Sequence, residues 1–61
     1  MTTLTKRQTQ IMELIAKGEC DKEIASTLRI SHKTVNKHVE FIFKRLHVRS
    51  RAQAVYVFFL S

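Results

Sequence analysis

The sequence predicts an all-α fold, in which four short helices pack into one domain covering residues 1–61. Two observations lead to this class. The chain contains no proline and one glycine, and its apolar residues recur at intervals of three and four, the period of helices that bury one side.

A chain of 61 residues buries only about 60% of the surface that its unfolded form exposes, so we expect a partner to add stability.

Helices 1 and 2, predicted at about 6–17 and 21–28, are bounded by capping residues. Thr5 and Gln8 have the spacing of a capping box, in which each side chain bonds the other residue's backbone N–H. Gly18 supplies the left-handed residue that ends helix 1. Because a thiol is a poor acceptor, we expect Asp21 rather than Cys20 to cap helix 2. The apolar face of helix 1 consists of Ile11, Leu14 and Ile15.

Helices 3 and 4, predicted at about 32–46 and 51–60, follow Ser31 and Ser50, which can each act as an N-cap. At about 100° per residue, helix 3 divides into two faces. The apolar face, which we expect in the core, consists of Val35, Val39, Ile42 and Leu46. The polar face consists of Lys33, Asn36, Lys37, Glu40 and Lys44.

Helices 2 and 3 together have the features of a helix-turn-helix. Two helices that cross steeply need a small residue at the crossing, and Ala25 occupies that position. The apolar wedge between them consists of Ile24, Leu28, Ile30 and Val35. This arrangement leaves the polar face of helix 3 able to enter a nucleic-acid groove.

All of the surplus positive charge lies after residue 28. Residues 1–28 contain four basic and four acidic side chains, whereas residues 29–61 contain seven basic side chains and Glu40 as the single acidic one. The net charge of +6 therefore lies on and after the turn before helix 3. A neutral half followed by a basic helix is typical of a module that lies along a polyanion.

Other features exclude several classes of protein. The longest apolar run, residues 54–60, is far shorter than the roughly 20 residues that span a bilayer. Cys20 has no second cysteine to pair with and no leader-like segment opens the chain, so we expect a cytoplasmic protein. Ser31 beside His32 lacks a third catalytic group, and the cysteine and histidines lack zinc-site spacing. We therefore expect no enzyme, no metal and no cofactor.

Nearly the whole chain resembles the LuxR/GerE-type DNA-binding domain of bacterial transcription regulators. The resemblance is carried by LTKRQ, LIAKG, DKEIASTL, IS, TVNKHV and RLHVRSRAQAV, which occur in the family's order. It implies a four-helix domain whose third helix enters the major groove of duplex DNA and whose fourth helix often forms a homodimer contact. It also implies a place at the output end of response regulators or quorum sensors, or a protein that stands alone.

The chain departs from the usual family pattern at five positions, Gln8, Gln10, Cys20, Asp21 and Asn36. The family usually has Glu, Glu, Ser, Asn and a basic residue there. The first four affect capping and surface charge. Asn36 affects base recognition, so we expect the DNA site to differ from that of a typical relative.

The first half of helix 3 contains four candidates for DNA contact. Lys33 and Thr34 lie in the first turn, where unpaired N–H groups favour a phosphate, although Thr34 has capping support as an alternative role. Asn36 and Lys37 lie where base edges are reached, because Asn can bridge adenine N6 and N7 and Lys can donate to guanine O6 and N7.

Three further charged residues are assigned to the same interface. Glu40 either accepts from cytosine N4 or is an exposed residue paired with Lys37 or Lys44. Lys44 and Lys22 suit the flanking phosphates, with a solvated lysine as the alternative for each.

His38 flanks the core face and is expected to be packed, and Phe41 lies outside that face without a role that the sequence explains.

Helix 4 has too many apolar residues for one buried face. If Ala54, Val55 and Phe58 face the core, another apolar set must point outward. This outward set consists of Ala52, Tyr56, Phe59 and Leu60. We expect it to form a two-fold homodimer that places two recognition helices about one DNA turn apart. The alternative is that it covers a receiver or sensor domain outside the chain.

Three rival functions are compatible with parts of the sequence. A sigma-factor region 4, which would bind RNA polymerase, has a similar helix-turn-helix but fits the RLHVRSRAQAV block and the apolar fourth helix poorly. A protein-interaction module would bind DNA without steep salt dependence. An RNA-binding role would need an aromatic stacking platform that the sequence lacks.

Overall fold

The structure, a computed structural model, describes residues 4–60 and contains four α-helices. They are α1 (Lys6–Ala16), α2 (Asp21–Leu28), α3 (His32–Leu46) and α4 (Arg51–Leu60). The all-α class and the order of the helices are confirmed. α1 ends one residue earlier than predicted, because Lys17 is its C-cap and Gly18 follows with φ 92°.

Three helices begin at the capping residues that the sequence predicts. In the capping box of α1, the Gln8 N–H donates to Thr5 Oγ1 at 3.1 Å and the Thr5 N–H donates to Gln8 Oε1 at 2.9 Å. Ser31 Oγ accepts from the N–H three residues later at 3.0 Å, and Ser50 Oγ does the same at 3.1 Å. Each bond satisfies a donor that the helix itself leaves unpaired.

The prediction that Asp21 caps α2 is wrong. Cys20 occupies the N-cap position and Asp21 is the first helical residue. Glu23 satisfies this end of the helix instead, since its Oε1 accepts from the Cys20 N–H at 2.8 Å. This hydrogen bond favours the ionised carboxylate and lowers the pKa of Glu23 below its ordinary value.

The core lies where the four helices meet. Its buried side chains are Ile11, Met12, Ile15, Ile24, Ala25, Val35, Ile42, Leu46 and Ala54. The apolar face of α3 is confirmed, although Val39 is only half-buried. Met12 was not anticipated, because it lies beside the predicted stripe of α1 rather than on it.

The helix-turn-helix forms around the predicted small residue. Ala25 is buried on α2, which packs against α3, and the Ile30 N–H donates to its carbonyl at 3.0 Å. The chain leaves α2 through Arg29, which has φ 57°. His47 ends α3 with the same φ, so within residues 4–60 two residues other than glycine occupy the left-handed region.

α4 buries less of its inner face than the sequence predicts. Ala54 is fully buried, but Val55 and Phe58 are only half-buried. The Phe58 ring packs edge-to-face on Phe59, with ring centroids 6.0 Å apart. None of the helices within residues 4–60 is long and apolar enough to cross a membrane.

Candidate nucleic-acid interface

α3 presents a basic face opposite the core. All six of its candidate contact residues are exposed: Lys33, Thr34, Asn36, Lys37, Glu40 and Lys44. At about 1.5 Å per residue, the face extends about 16 Å from Lys33 to Lys44. This is long enough to follow a groove over several base pairs, while the opposite face of α3 packs on the other three helices.

The first half of the basic face borders a shallow depression. Lys33, Thr34 and Lys37 line it, together with Phe41. The Thr34 N–H donates to Ser31 Oγ, and the two hydroxyl oxygens are 2.8 Å apart. Thr34 therefore supports the cap of α3, which was the alternative role considered for it. A hydroxyl keeps further hydrogen-bonding capacity, so this role does not conflict with a phosphate contact.

The second half of the face borders another depression, between the end of α3 and the start of α1. Lys44 and Arg45 line it opposite Thr5 and Gln8. Phe41 lines both depressions. It therefore lies between Lys33 and Lys37 in the first depression and Lys44 and Arg45 in the second.

Glu40 interrupts the positive charge of the basic face. It is exposed, and within residues 4–60 no ion pair joins it to Lys37 or Lys44. The ion pair with Lys37 or Lys44 that the sequence allows is therefore absent from this structure. Its carboxylate is available to accept from a base donor.

Lys22 is exposed on α2 and lines a third depression, apart from the two that Phe41 lines. Beside it lies a cluster of polar side chains around Asp21 that the sequence does not predict. The Asp21 carboxylate pairs with the Arg51 guanidinium, and His32 Nε2 lies 3.7 Å from Asp21 Oδ2. Asp21, His32 and Arg51 are the first residues of α2, α3 and α4. One carboxylate at the start of α2 thus pairs with the first residue of α4 and lies close to the first residue of α3.

The sequence contains the two charges of this cluster but no local pattern that pairs them. Asp21 departs from the family's usual Asn, and Arg51 opens α4 with no acidic residue nearby in the chain. The pair is separated by 30 residues, so only the fold brings it together. In the described part of the chain, no group of three or more His, Cys, Asp or Glu side chains could hold a metal ion.

Several known bacterial proteins are similar to this chain in sequence. A sequence model of the family described as "Bacterial regulatory proteins, luxR family" matches residues 2–58. The spore germination protein GerE of Bacillus subtilis is 46% identical over 52 residues, which cover 85% of this chain and 70% of GerE. The response regulator protein VraR of Staphylococcus aureus is 50% identical over 52 residues, which cover 85% of this chain and 25% of VraR.

YhjB of Escherichia coli is 39% identical over 61 residues, the whole of this chain and 30% of YhjB. The chain therefore spans about a third or less of the length of YhjB and VraR, and more than two thirds of GerE.

Proposed function

The chain belongs to the luxR family of bacterial regulatory proteins, a family of DNA-binding transcription regulators, and on this premise we propose that α3 reads the major groove of duplex DNA. In this proposal residues 1–61 form one helix-turn-helix domain. Asn36, Lys37 and Glu40 contact base edges, whereas Lys33, Thr34, Lys44 and Lys22 contact phosphates.

The observation that carries the proposal is the separation of the two faces of α3. Val35, Ile42 and Leu46 are buried in the core, whereas the residues assigned to DNA are all exposed on the other side. An α-helix fits into the major groove, which is about 12 Å wide. α3 can therefore enter it without any loss of core packing.

Base contacts favour one DNA sequence over others, whereas phosphate contacts strengthen binding to every sequence, so affinity measurements distinguish them. Sequences selected from a random duplex pool supply a specific site, and affinities are compared on this site and on random DNA. Lys37→Ala should cost about 1 to 3 kcal/mol on the specific site and little on random DNA. Lys44→Ala should weaken binding to both alike. Lys17→Ala is the matched control, because it removes the same charge from the exposed end of α1.

Salt dependence tests the proposal as a whole. The logarithm of the binding constant should fall linearly with the logarithm of salt concentration, by about 0.9 for each phosphate neutralised. Lys44→Ala should make this slope shallower by about one contact. A flat response, or equal losses from Lys37→Ala and Lys17→Ala, would contradict a DNA-reading α3.

We further propose that the domain acts as a homodimer through α4. Ala52, Tyr56, Phe59 and Leu60 are exposed on that helix, and Tyr56, Phe59 and Leu60 are each about two-thirds exposed. A large apolar patch on a small monomer favours association. A two-fold pair would match an inverted-repeat DNA site. A receiver domain is the other candidate for this patch, since VraR is a response regulator of which this chain matches 25%.

A further inference from the structure

Phe41 is an exposed aromatic residue on the basic face of α3. Four large apolar side chains are exposed within residues 4–60, and the other three lie on α4. Phe41 is 55% exposed, and neither depression that it lines includes a residue of α4. It is therefore separate from the apolar patch proposed for the dimer.

The surroundings of Phe41 indicate the chemistry of its partner. Lys33 and Lys37 flank it on one side, and Lys44 and Arg45 flank it on the other. A surface of this kind suits a polyanion that offers an apolar group between its charges. In duplex DNA, the apolar group accessible in the major groove is the C5-methyl of thymine.

The position of Phe41 is compatible with such a contact. It lies one helical turn beyond Lys37 and almost one turn before Lys44, so it shares their side of α3. A phenyl ring cannot make the hydrogen bonds that distinguish the other bases, but it can enclose a methyl group.

We infer that Phe41 is a specificity-determining residue whose ring contacts the C5-methyl of one thymine in each half-site. This inference rests on the proposed function, because it requires α3 in the major groove. It assigns sequence preference to a position beyond Asn36, Lys37 and Glu40.

The test removes the methyl group and the ring separately. In the selected duplex, each thymine of one half-site is replaced singly by deoxyuridine, which lacks only the C5-methyl. Binding of the unmodified protein should fall about three- to four-fold at one position, the value of burying one methyl group. Phe41→Ala should bind the thymine and uracil duplexes equally well at that position, and Phe41→Leu should retain part of the difference. Gln10→Ala, an exposed change on α1, is the matched control and should show the same uracil effect as the unmodified protein.

The outcomes separate this inference from the proposed function. If the unmodified protein shows no salt-dependent binding to duplex DNA, both the proposed function and the Phe41 contact are overturned. Normal binding with a uracil effect unchanged in Phe41→Ala would overturn the Phe41 contact alone. Equal weakening of all duplexes by Phe41→Ala would also overturn it, since that result indicates a sugar contact. A change in association state, with DNA selectivity intact, would assign the ring to a protein partner instead. Circular dichroism checks that both variants fold, as expected for an exposed position.

Discussion

At the scale of single residues, Asp21 has a structural role that its place in the sequence does not reveal. Its side chain is 18% exposed, compared with 41% for Arg51 and 62% for His32. The pair with Arg51 is therefore partly shielded from water, so we expect it to contribute more than a fully exposed ion pair.

A double-mutant cycle measures this pair. Asp21→Ala and Arg51→Ala should each destabilise the domain, and the double variant should be less destabilised than the sum, by about 0.5 to 1 kcal/mol. Urea denaturation followed by circular dichroism gives the three values. Asp21→Asn, which keeps a hydrogen-bonding side chain, should lie between the alanine variant and the unmodified protein. Strict additivity would show that the two side chains do not interact in solution.

At the scale of helices, local signals predicted most of the structure. The capping box of α1 and the serine caps of α3 and α4 were predicted because each depends on residues three positions apart. The cap of α2 was not, because the carboxylate of Glu23 replaces the weak acceptor at Cys20. The partial burial of Phe58 was also missed, since it depends on how α4 packs against the other helices rather than on its own periodicity.

The cap of α2 makes stability depend on pH. The pKa of Glu23 is lowered in the folded chain, so its contribution is present above the ordinary pKa of Glu and is lost as pH falls through the lowered value. Glu23→Gln should lower Tm at pH 7, and the difference from the unmodified protein should be smaller at an acidic pH below the ordinary pKa of Glu. Thermal melts at both pH values check this. An equal difference at the two pH values would show that the charge of Glu23 does not matter.

The turn of the helix-turn-helix stores strain at Arg29. A side chain in the left-handed region costs about 1 to 2 kcal/mol, and glycine avoids most of this cost. Arg29→Gly should therefore raise the free energy of unfolding by about 0.5 to 1 kcal/mol, after the greater entropy of unfolded glycine is subtracted. Arg29→Ala, which removes the charge but keeps Cβ, is the control and should give no such gain. Equal stability of the two variants would contradict the strain argument.

At the scale of the whole molecule, sequence and structure agree on the basic face and on the apolar patch of α4. The exposure of the candidate DNA contacts could be predicted because helical periodicity alone fixes which side of α3 faces the core. The Asp21 cluster could not, because it joins three helices whose packing no local pattern specifies. Phe41 was recognised as lying outside the core face, but its place between two basic depressions required the fold.

The proposed association of two chains through α4 is tested by charge substitution. Phe59→Lys should convert a concentration-dependent dimer into a monomer and leave helical content largely intact, because Phe59 is 71% exposed. Sedimentation and circular dichroism measure the two properties. Phe58→Ala, the comparison variant, should cost less than the 3 to 5 kcal/mol of a fully buried ring, about 1 to 3 kcal/mol, because Phe58 is half-buried. A Phe59→Lys variant that stays dimeric would exclude this interface.

The shared carboxylate of Asp21 has a consequence for the DNA sites that such a dimer can use. Arg51 begins the helix proposed to pair two chains, and His32 begins the helix proposed to read the groove. Asp21 contacts both starts, so it helps to fix the position of α3 relative to α4 within each chain. We therefore expect little tolerance for a changed number of base pairs between half-sites. Insertion of one base pair should weaken binding of the proposed dimer strongly in the unmodified protein and less in Asp21→Ala, in which α3 and α4 are less firmly connected.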